Sequence, residues 1–401
     1  MKYLIVLGDG MADRPGSELG NKTPLEVASI PNMDMLASKG ELGRVKTIPN
    51  GMKPGSDIAN LSVLGFNPAK YYTGRSPLEA LAIGVNLRDT DVAIRTNLVT
   101  LSSDEPFEKK SMIDYSAGEI TTKESQEIMK TIQKELGSDE YTFYAGVSYR
   151  HCLVSAKNGL QTVFCPPHDI TGEVIEKKLP SGVGCNDFIN LINESGKILK
   201  DHPVNKRRER AGLNQATHLW FWGAGTKPNL PSFYDKYGLK GGVVSAVDLL
   251  KGIGVGTGML TPNVIGATGT VYTNWDGKIE AAKKLFENGT DFVFIHLEAP
   301  DEAGHQGNAS LKIAAIERVD YVVGEMYKYL QGLNEPFKMA VLPDHATPLI
   351  LKTHSSEAVP YIIYNSEKER KKISKYTERE ALNGKMLQSG EKFMERFLRT
   401  N

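Results

Sequence analysis

Short apolar runs punctuate this chain, and three of them stop abruptly at a residue able to bind a metal ion. Tyr3-Leu4-Ile5-Val6-Leu7 ends at Gly8-Asp9-Gly10. Phe292-Val293-Phe294-Ile295 leads to Glu298-Ala299-Pro300-Asp301-Glu302-Ala303-Gly304-His305. Met339-Ala340-Val341-Leu342 leads to Pro343-Asp344-His345. Leu219 to Trp222 and Tyr361 to Tyr364 are runs of the same kind. Such runs, apolar without alternation, are strands covered on both faces, as in a parallel sheet. Helical spacing fills the intervals. Residues 281–286 lie in one such stretch, and Ile316, Val319, Val323, Met326 and Leu330 recur three or four apart in another. Strands alternating with helices predict an α/β fold, a mainly parallel sheet flanked by helices.

The middle of the chain reads differently. From about Val85 to Gly212 the apolar runs are shorter and more polar. Val92 to Leu101 reads as a strand, Glu124 to Leu136 as an amphipathic helix and Asn186 to Leu199 as another. The segment closes on the basic run Lys206-Arg207-Arg208-Glu209-Arg210. These patterns predict a smaller α+β domain over 85–212, inserted into a discontinuous core of 1–84 and 213–401. One large domain with long loops is the alternative.

Composition excludes several functions. Lys+Arg and Asp+Glu both number 48, so the net charge is zero, and no global basic field exists for a nucleic acid or a membrane surface. Three cysteines, Cys152, Cys165 and Cys185, form no CxxC pair. They argue against a disulfide framework and for a reducing cytoplasm. The opening apolar run is five residues long and reads as a strand rather than a signal peptide. No stretch approaches the 18 apolar residues that a membrane helix needs.

Four segments carry the chemistry. Asp9 follows the first strand between two glycines that let the backbone turn and a ligand approach. Ile58, Leu61 and Leu64 are three apart, so a helix begins near Asp57 and ends at Gly65, with Ser56 at its N-terminus. There the backbone N–H groups favour an alkoxide and then a phosphate. Asp301 and His305, four apart, share one helical face, and this oxygen–nitrogen pair suits Mn²⁺ or Zn²⁺ better than Ca²⁺. Asp344-His345 closes a strand, and His354 lies nine residues on. Taken singly, each has a plain explanation: a turn aspartate, an N-cap serine, a surface Asp/His pair. Together, Asp9, Ser56, Asp301, His305, Asp344, His345 and His354 supply donors enough for two metal ions with a serine nucleophile between them.

The strings LGDG-MADRP, PGSDIANLSVLGF, LEAPDEAGH, LPDH and KTHSS, in this order, resemble the cofactor-independent phosphoglycerate mutases, specifically their archaeal-type branch within the alkaline phosphatase superfamily. SYRH at 148–151, MIDYSAG at 112–118 and KYGLKGGVVSAVDLLKGIG at 236–254 extend the resemblance over nearly the whole chain. The resemblance implies interconversion of 3-phosphoglycerate and 2-phosphoglycerate without 2,3-bisphosphoglycerate, in glycolysis and gluconeogenesis. It implies two divalent metals, usually Mn²⁺, with Zn²⁺ or Mg²⁺ as alternatives. One would be held by Asp9, Ser56, Asp344 and His345, the other by Asp301, His305 and His354. Ser56 would be transiently phosphorylated, and the inserted domain would bind the substrate's carboxylate and close over the site.

A trianionic substrate calls for cationic partners. Arg150 and His151 are the first candidates, followed by His168, with Asp169 as a proton carrier. Arg207, Arg208 and Arg210 are candidates as cleft residues, and Lys352 as a phosphate contact; surface roles explain these equally well. His202, His218 and His296 have no motif context and read as structural. The expected partner is a small phosphorylated molecule, with no nucleic acid and no membrane. A homoserine kinase-like phosphotransferase on the same metal site is the nearest alternative, ahead of a simple phosphohydrolase and of a binding module without turnover.

Overall fold

Tyr3 to Leu7 lies within the strand Lys2–Gly8, and the later runs become Phe292–Leu297, Phe337–Leu342 and Val359–Asn365. The computed structural model describes residues 1–157, 159–370 and 374–399. The chain divides into two units, Met1–Tyr72 with Asn229–Asn401, and Thr73–Pro228.

The first unit is built on a seven-stranded sheet in the order Gly241–Val244, Phe292–Leu297, Lys2–Gly8, Phe337–Leu342, Val359–Asn365, Glu41–Val45, Lys385–Leu387. Only Val359–Asn365 runs against the others. A parallel return needs a long crossover, usually helical. The segment between Leu342 and Val359 contains no helix, because it carries the Asp344–His354 chemistry instead. The following strand therefore comes back antiparallel.

Side chains alternate across the sheet. Leu4, Val6, Val293, Ile295, Met339 and Val341 pack with the helices Pro31–Lys39, Trp275–Glu287 and Ala309–Gly332. On the opposite face Tyr3 meets Phe397, and Tyr361 meets Phe393, both from the helix Gly390–Leu398. Both faces are thus dry, and this is why the strands read as unbroken apolar runs.

The second unit centres on Val92–Leu101, which pairs antiparallel with Arg150–Ser155 on one side and His218–Thr226 on the other. Tyr141–Val147 adds an outer strand. The helices Thr122–Leu136 and Cys185–Leu199 place Ile128, Ile132, Phe188 and Ile192 against Ile94, Leu98 and Phe221. Thr121 and Glu124 form a reciprocal capping box that starts the first of these helices.

The junctions differ from the expected 85 and 212. The helix Arg75–Ala82, with Val85 and Leu87, belongs to the second unit, because Ala80, Val85 and Leu87 pack against Ala93, Cys152 and Val154. His218–Thr226, expected in the core, is a partner of Val92–Leu101. Pairing and packing across the chain drew these limits, and a local composition shift does not report them.

Candidate active site

Asp9, Asp301 and Asp344 are distant in sequence and meet because three parallel strands are neighbours. Gly8 pairs with Leu297, and Leu7 with Leu342, so the carboxyl ends of these strands lie side by side. The Asp9 N–H donates to Leu297 O at 2.9 Å, which fixes the first turn against the second strand. Gly10 follows at φ 60°. A Cβ there would stand 2.5 Å from Thr347 Oγ1 and 2.6 Å from Asp301 Oδ1.

Asp301 and His305 lie one turn apart on the helix Ala299–Gln306, as their spacing predicts. His354 arrives from the loop before Val359. His305 Nε2 is 3.2 Å from Asp301 Oδ2, His354 Nε2 is 3.4 Å from Asp301 Oδ1, and the two imidazole nitrogens are 3.0 Å apart. His305 Nδ1 lies 3.0 Å from Lys352 O. A carbonyl only accepts, so Nδ1 carries a hydrogen.

Ser56 is the first residue of the helix Ser56–Val63, beyond an extended Gly55. Its Oγ is 3.2 Å from His345 Nε2 and 3.4 Å from Asp9 Oδ2. His345 Nε2 is also 3.5 Å from Asp9 Oδ1 and 3.4 Å from Asp344 Oδ2. Asn60, one turn after Ser56, donates from Nδ2 to Ser56 O and to Asp344 Oδ2, both at 2.9 Å. Gly10 N donates to Asp344 Oδ1 at 3.2 Å. Thr347 Oγ1 donates to Asp301 Oδ1 and lies 3.3 Å from His345 Nδ1. With its hydrogen on Asp301, Thr347 accepts from Nδ1–H, and the His345 Nε2 lone pair faces Ser56 and Asp9.

This much geometry sets the chain beside its relatives. The family model for 2,3-bisphosphoglycerate-independent phosphoglycerate mutase matches residues 37–205, and that for type I phosphodiesterase / nucleotide pyrophosphatase matches 184–357. A 2,3-bisphosphoglycerate-independent phosphoglycerate mutase of Methanosarcina mazei is 46% identical over 96% of this chain and 96% of its own length. The chain belongs to the 2,3-bisphosphoglycerate-independent phosphoglycerate mutase family. A probable enzyme of that name from Geobacter sulfurreducens is 45% identical over 99% of this chain and all of its own length. Among solved structures, a Pyrococcus horikoshii protein superposes with a TM-score of 0.80 at 31% identity, covering 99% and 97% of the two chains. The cofactor-independent phosphoglycerate mutase of Thermoplasma acidophilum gives 0.66 at 28% identity, covering 99% of each. The α/β core and the phosphodiesterase match agree with the expected alkaline phosphatase-like fold.

Membership of this family implies divalent metal, and the donor set fits it. Asp301, His305 and His354 form one group able to hold an ion; Asp9 and Asp344, with His296, form another, and Asp9, Asp301 and His345 a third. Metal–ligand bonds of about 2.0–2.2 Å put neighbouring donors roughly 3–3.5 Å apart, as these are. The electrostatics agree. Burial, with the charges of Asp344 and Asp301, pushes the Asp9 carboxyl well above the usual range. Asp301, although burial opposes it, is held well below that range by hydrogen bonds from His305 and His354. Asp301 in turn raises His305 to about 9. Asp9 Oδ1 has no hydrogen-bond partner among the described residues. Buried anions with an unsatisfied oxygen call for a cation.

Gly10→Ala tests this packing. It forces an L-residue into a left-handed conformation, costing about 1–2 kcal/mol, and drives a methyl into Asp301 and Thr347. The expected result is a loss of metal affinity on the order of 10-fold or more, read by dialysis and metal analysis. Wild-type affinity would show that the loop yields freely.

Other expected residues fall elsewhere. His151 is turned inward, its Nδ1 accepting from Gly146 N at 3.0 Å, and burial lowers its pKa to about 3. Burial disfavours its charged form, so a substrate contact at His151 is proposed only through a neutral ring. Arg150 stays exposed, 5.4 Å from the Tyr149 ring centre. His168 is half-exposed, its ring against Trp222, and Asp169 lies 3.5 Å from it. Arg207 pairs with Glu127 at 2.7 Å, and Arg210 is exposed at the end of the helix Pro203–Arg210. Arg208 is buried, bracing Glu124, Asn214 O and Ala117 O. Lys352 acts through its carbonyl on His305, in a left-handed conformation (φ 54°).

Sequence reasoning missed Asn60, Thr347 and His296. Asn60 is one helical turn from Ser56 and Thr347 two residues after His345, so both were open to spacing rules. His296, read as structural, lies 3.1 Å from Asp9 Oδ2. Its signal was a polar residue inside a strand otherwise apolar on both faces. His202 and His218 do belong to the second unit's framework, the former capping the helix Pro203–Arg210.

Proposed function

We propose that the chain interconverts 3-phosphoglycerate and 2-phosphoglycerate through a phosphoserine at Ser56, between two divalent cations. The observation that carries this reading is the position of Ser56 Oγ, at a helix N-terminus and within 3.5 Å of both His345 and Asp9. Asp9, Ser56, Asp344 and His345 would hold one ion, and Asp301, His305 and His354 the other. When bound, the cations neutralise phosphoryl charge and lower the pKa of the serine hydroxyl. Mn²⁺ is the first candidate, since mixed carboxylate and imidazole donors suit it, with Zn²⁺ and Mg²⁺ as alternatives.

The steps balance simply. Ser56 Oγ passes its proton to the proton carrier and attacks phosphorus in line. The Oγ–P bond forms as the bond from phosphorus to the substrate oxygen breaks, and that oxygen takes the proton from the carrier. The other hydroxyl of glycerate then gives its proton to the carrier and attacks the phosphoserine, the phosphorus–Oγ bond breaks, and Ser56 Oγ takes the proton back. Asp169 is proposed as proton carrier, and Arg150, His168, Arg207, Arg210 and Lys352 as substrate contacts. For Arg150→Ala the expected change is a rise in KM of about 10-fold with a smaller change in kcat; an unchanged KM would remove Arg150 from this role. The relatives from Methanosarcina mazei, Geobacter sulfurreducens and Thermoplasma acidophilum carry the mutase name, which favours this reading over a homoserine kinase-like phosphotransferase.

A coupled assay tests the proposal. Protein loaded with Mn²⁺ is given 3-phosphoglycerate, and enolase reports 2-phosphoglycerate. Turnover that chelator abolishes and Mn²⁺ restores is expected. A folded, metal-loaded protein without turnover would overturn the mutase reading, and homoserine with ATP would be tried next.

A further inference from the structure

His296 is fully buried in the strand Phe292–Leu297. Its Nδ1 lies 3.2 Å from Glu298 Oε1. Glu298 is a fixed acceptor: Ser245 Oγ donates to Oε1 at 3.0 Å, Ala246 N donates to it at 2.9 Å, and Lys278 pairs with Oε2. Lys278, itself buried, also donates to His296 O at 3.2 Å. The ring is therefore anchored from behind through Nδ1, which leaves Nε2 as the nitrogen that faces Asp9. A carboxylate that accepts from the far ring nitrogen in this way is what orients metal-binding histidines.

Among the described residues the forward nitrogen has no hydrogen-bond partner, yet it stands 3.1 Å from Asp9 Oδ2. Two such atoms at this distance in a buried site would repel if both were bare, so either a shared proton or a cation lies between or beside them. Asp9, His296 and Asp344 have donor atoms close enough to share an ion.

We propose that His296 Nε2 is a further ligand of the cation held by Asp9 and Asp344, added to the seven donors named above. The Glu298–Lys278 pair then serves as the support that keeps this ligand neutral, oriented and unable to rotate away. The proposal rests on the two-cation reading, and its test separates the two. The rival arrangement is an imidazolium bridging Asp9 and Glu298 with no metal contact.

The test uses wild-type protein labelled with ¹⁵N-histidine and loaded with ¹¹³Cd²⁺. Nitrogen–cadmium couplings count the ligating histidines directly, without activity. Four coupled rings, His296, His305, His345 and His354, are expected, and His296→Gln should remove one of them. Three coupled rings with His296 uncoupled would overturn the proposal and leave the two-cation reading standing. No coupled ring would overturn both. In His296→Gln, cation affinity at the Asp9 site is expected to fall by about 10-fold or more, with the Asp301 site unchanged; equal affinity at both would also overturn it. If the variant fails to fold, the wild-type count decides.

Discussion

Ser56→Ala is expected to lower kcat by at least about 10⁴-fold, the scale seen when an enzyme loses its nucleophile. The loss should be chemical rather than structural. Asn60 bonds the carbonyl of residue 56, not its side chain, so the helix start survives. Alanine is also a strong helix former. Asp9, Asp344 and His345 remain to hold a cation, and the Asp301 group is untouched. Thermal unfolding should move little, and metal content should stay near wild type. Intact mass after mixing with substrate should show a phosphoryl adduct on wild type and none on the variant. Activity within 10-fold of wild type would exclude Ser56 as the nucleophile.

The second large effect is expected away from the reacting atoms. Lys312 is fully buried at the start of the long helix Ala309–Gly332, and its ammonium meets Asp13 Oδ2 at 2.7 Å, Thr347 O at 2.8 Å and Ala12 O at 3.3 Å. It ties together the loop after Asp9 and the loop after His345. Burial holds its pKa below the ordinary lysine value, although Asp13 pulls the other way. Lys312→Met keeps the volume and removes the charge, leaving Asp13 buried without its cation. Breaking such a pair from one side costs about 3–5 kcal/mol. Denaturant unfolding should show this loss, with weaker metal binding alongside it. Lys312→Met combined with Asp13→Asn should recover part of the stability, because the unpaired charge is gone. A single variant as stable as wild type would mean that water reaches Asp13.

Most of the fold was legible where both neighbours in space were neighbours in pattern. The unbroken apolar runs announced strands covered on two sides, and Leu4, Val6, Val293 and Ile295 do lie between helices and sheet. The Asp301–His305 pair was legible because a helix turn is local. The reversed strand Val359–Asn365 was not, since residue pattern records burial and not direction. The unit limits at 72 and 228 were not either, because they depend on which distant strand accepts Val92–Leu101 as partner.

The sequence by itself determined the strand-and-helix alternation, the seven candidate donors and the family, since these rest on local spacing and on motifs in order. Tertiary structure decided how the site is finished. It turned His151 inward and neutral, gave Lys352 a main-chain role, buried Arg208, and set His296 against Asp9 with Glu298 and Lys278 behind it. The physical reason is one of range. Spacing rules act over a helical turn or a pair of strand residues. The charge, protonation and satisfaction of a buried side chain depend instead on groups that arrive from dozens or hundreds of residues away.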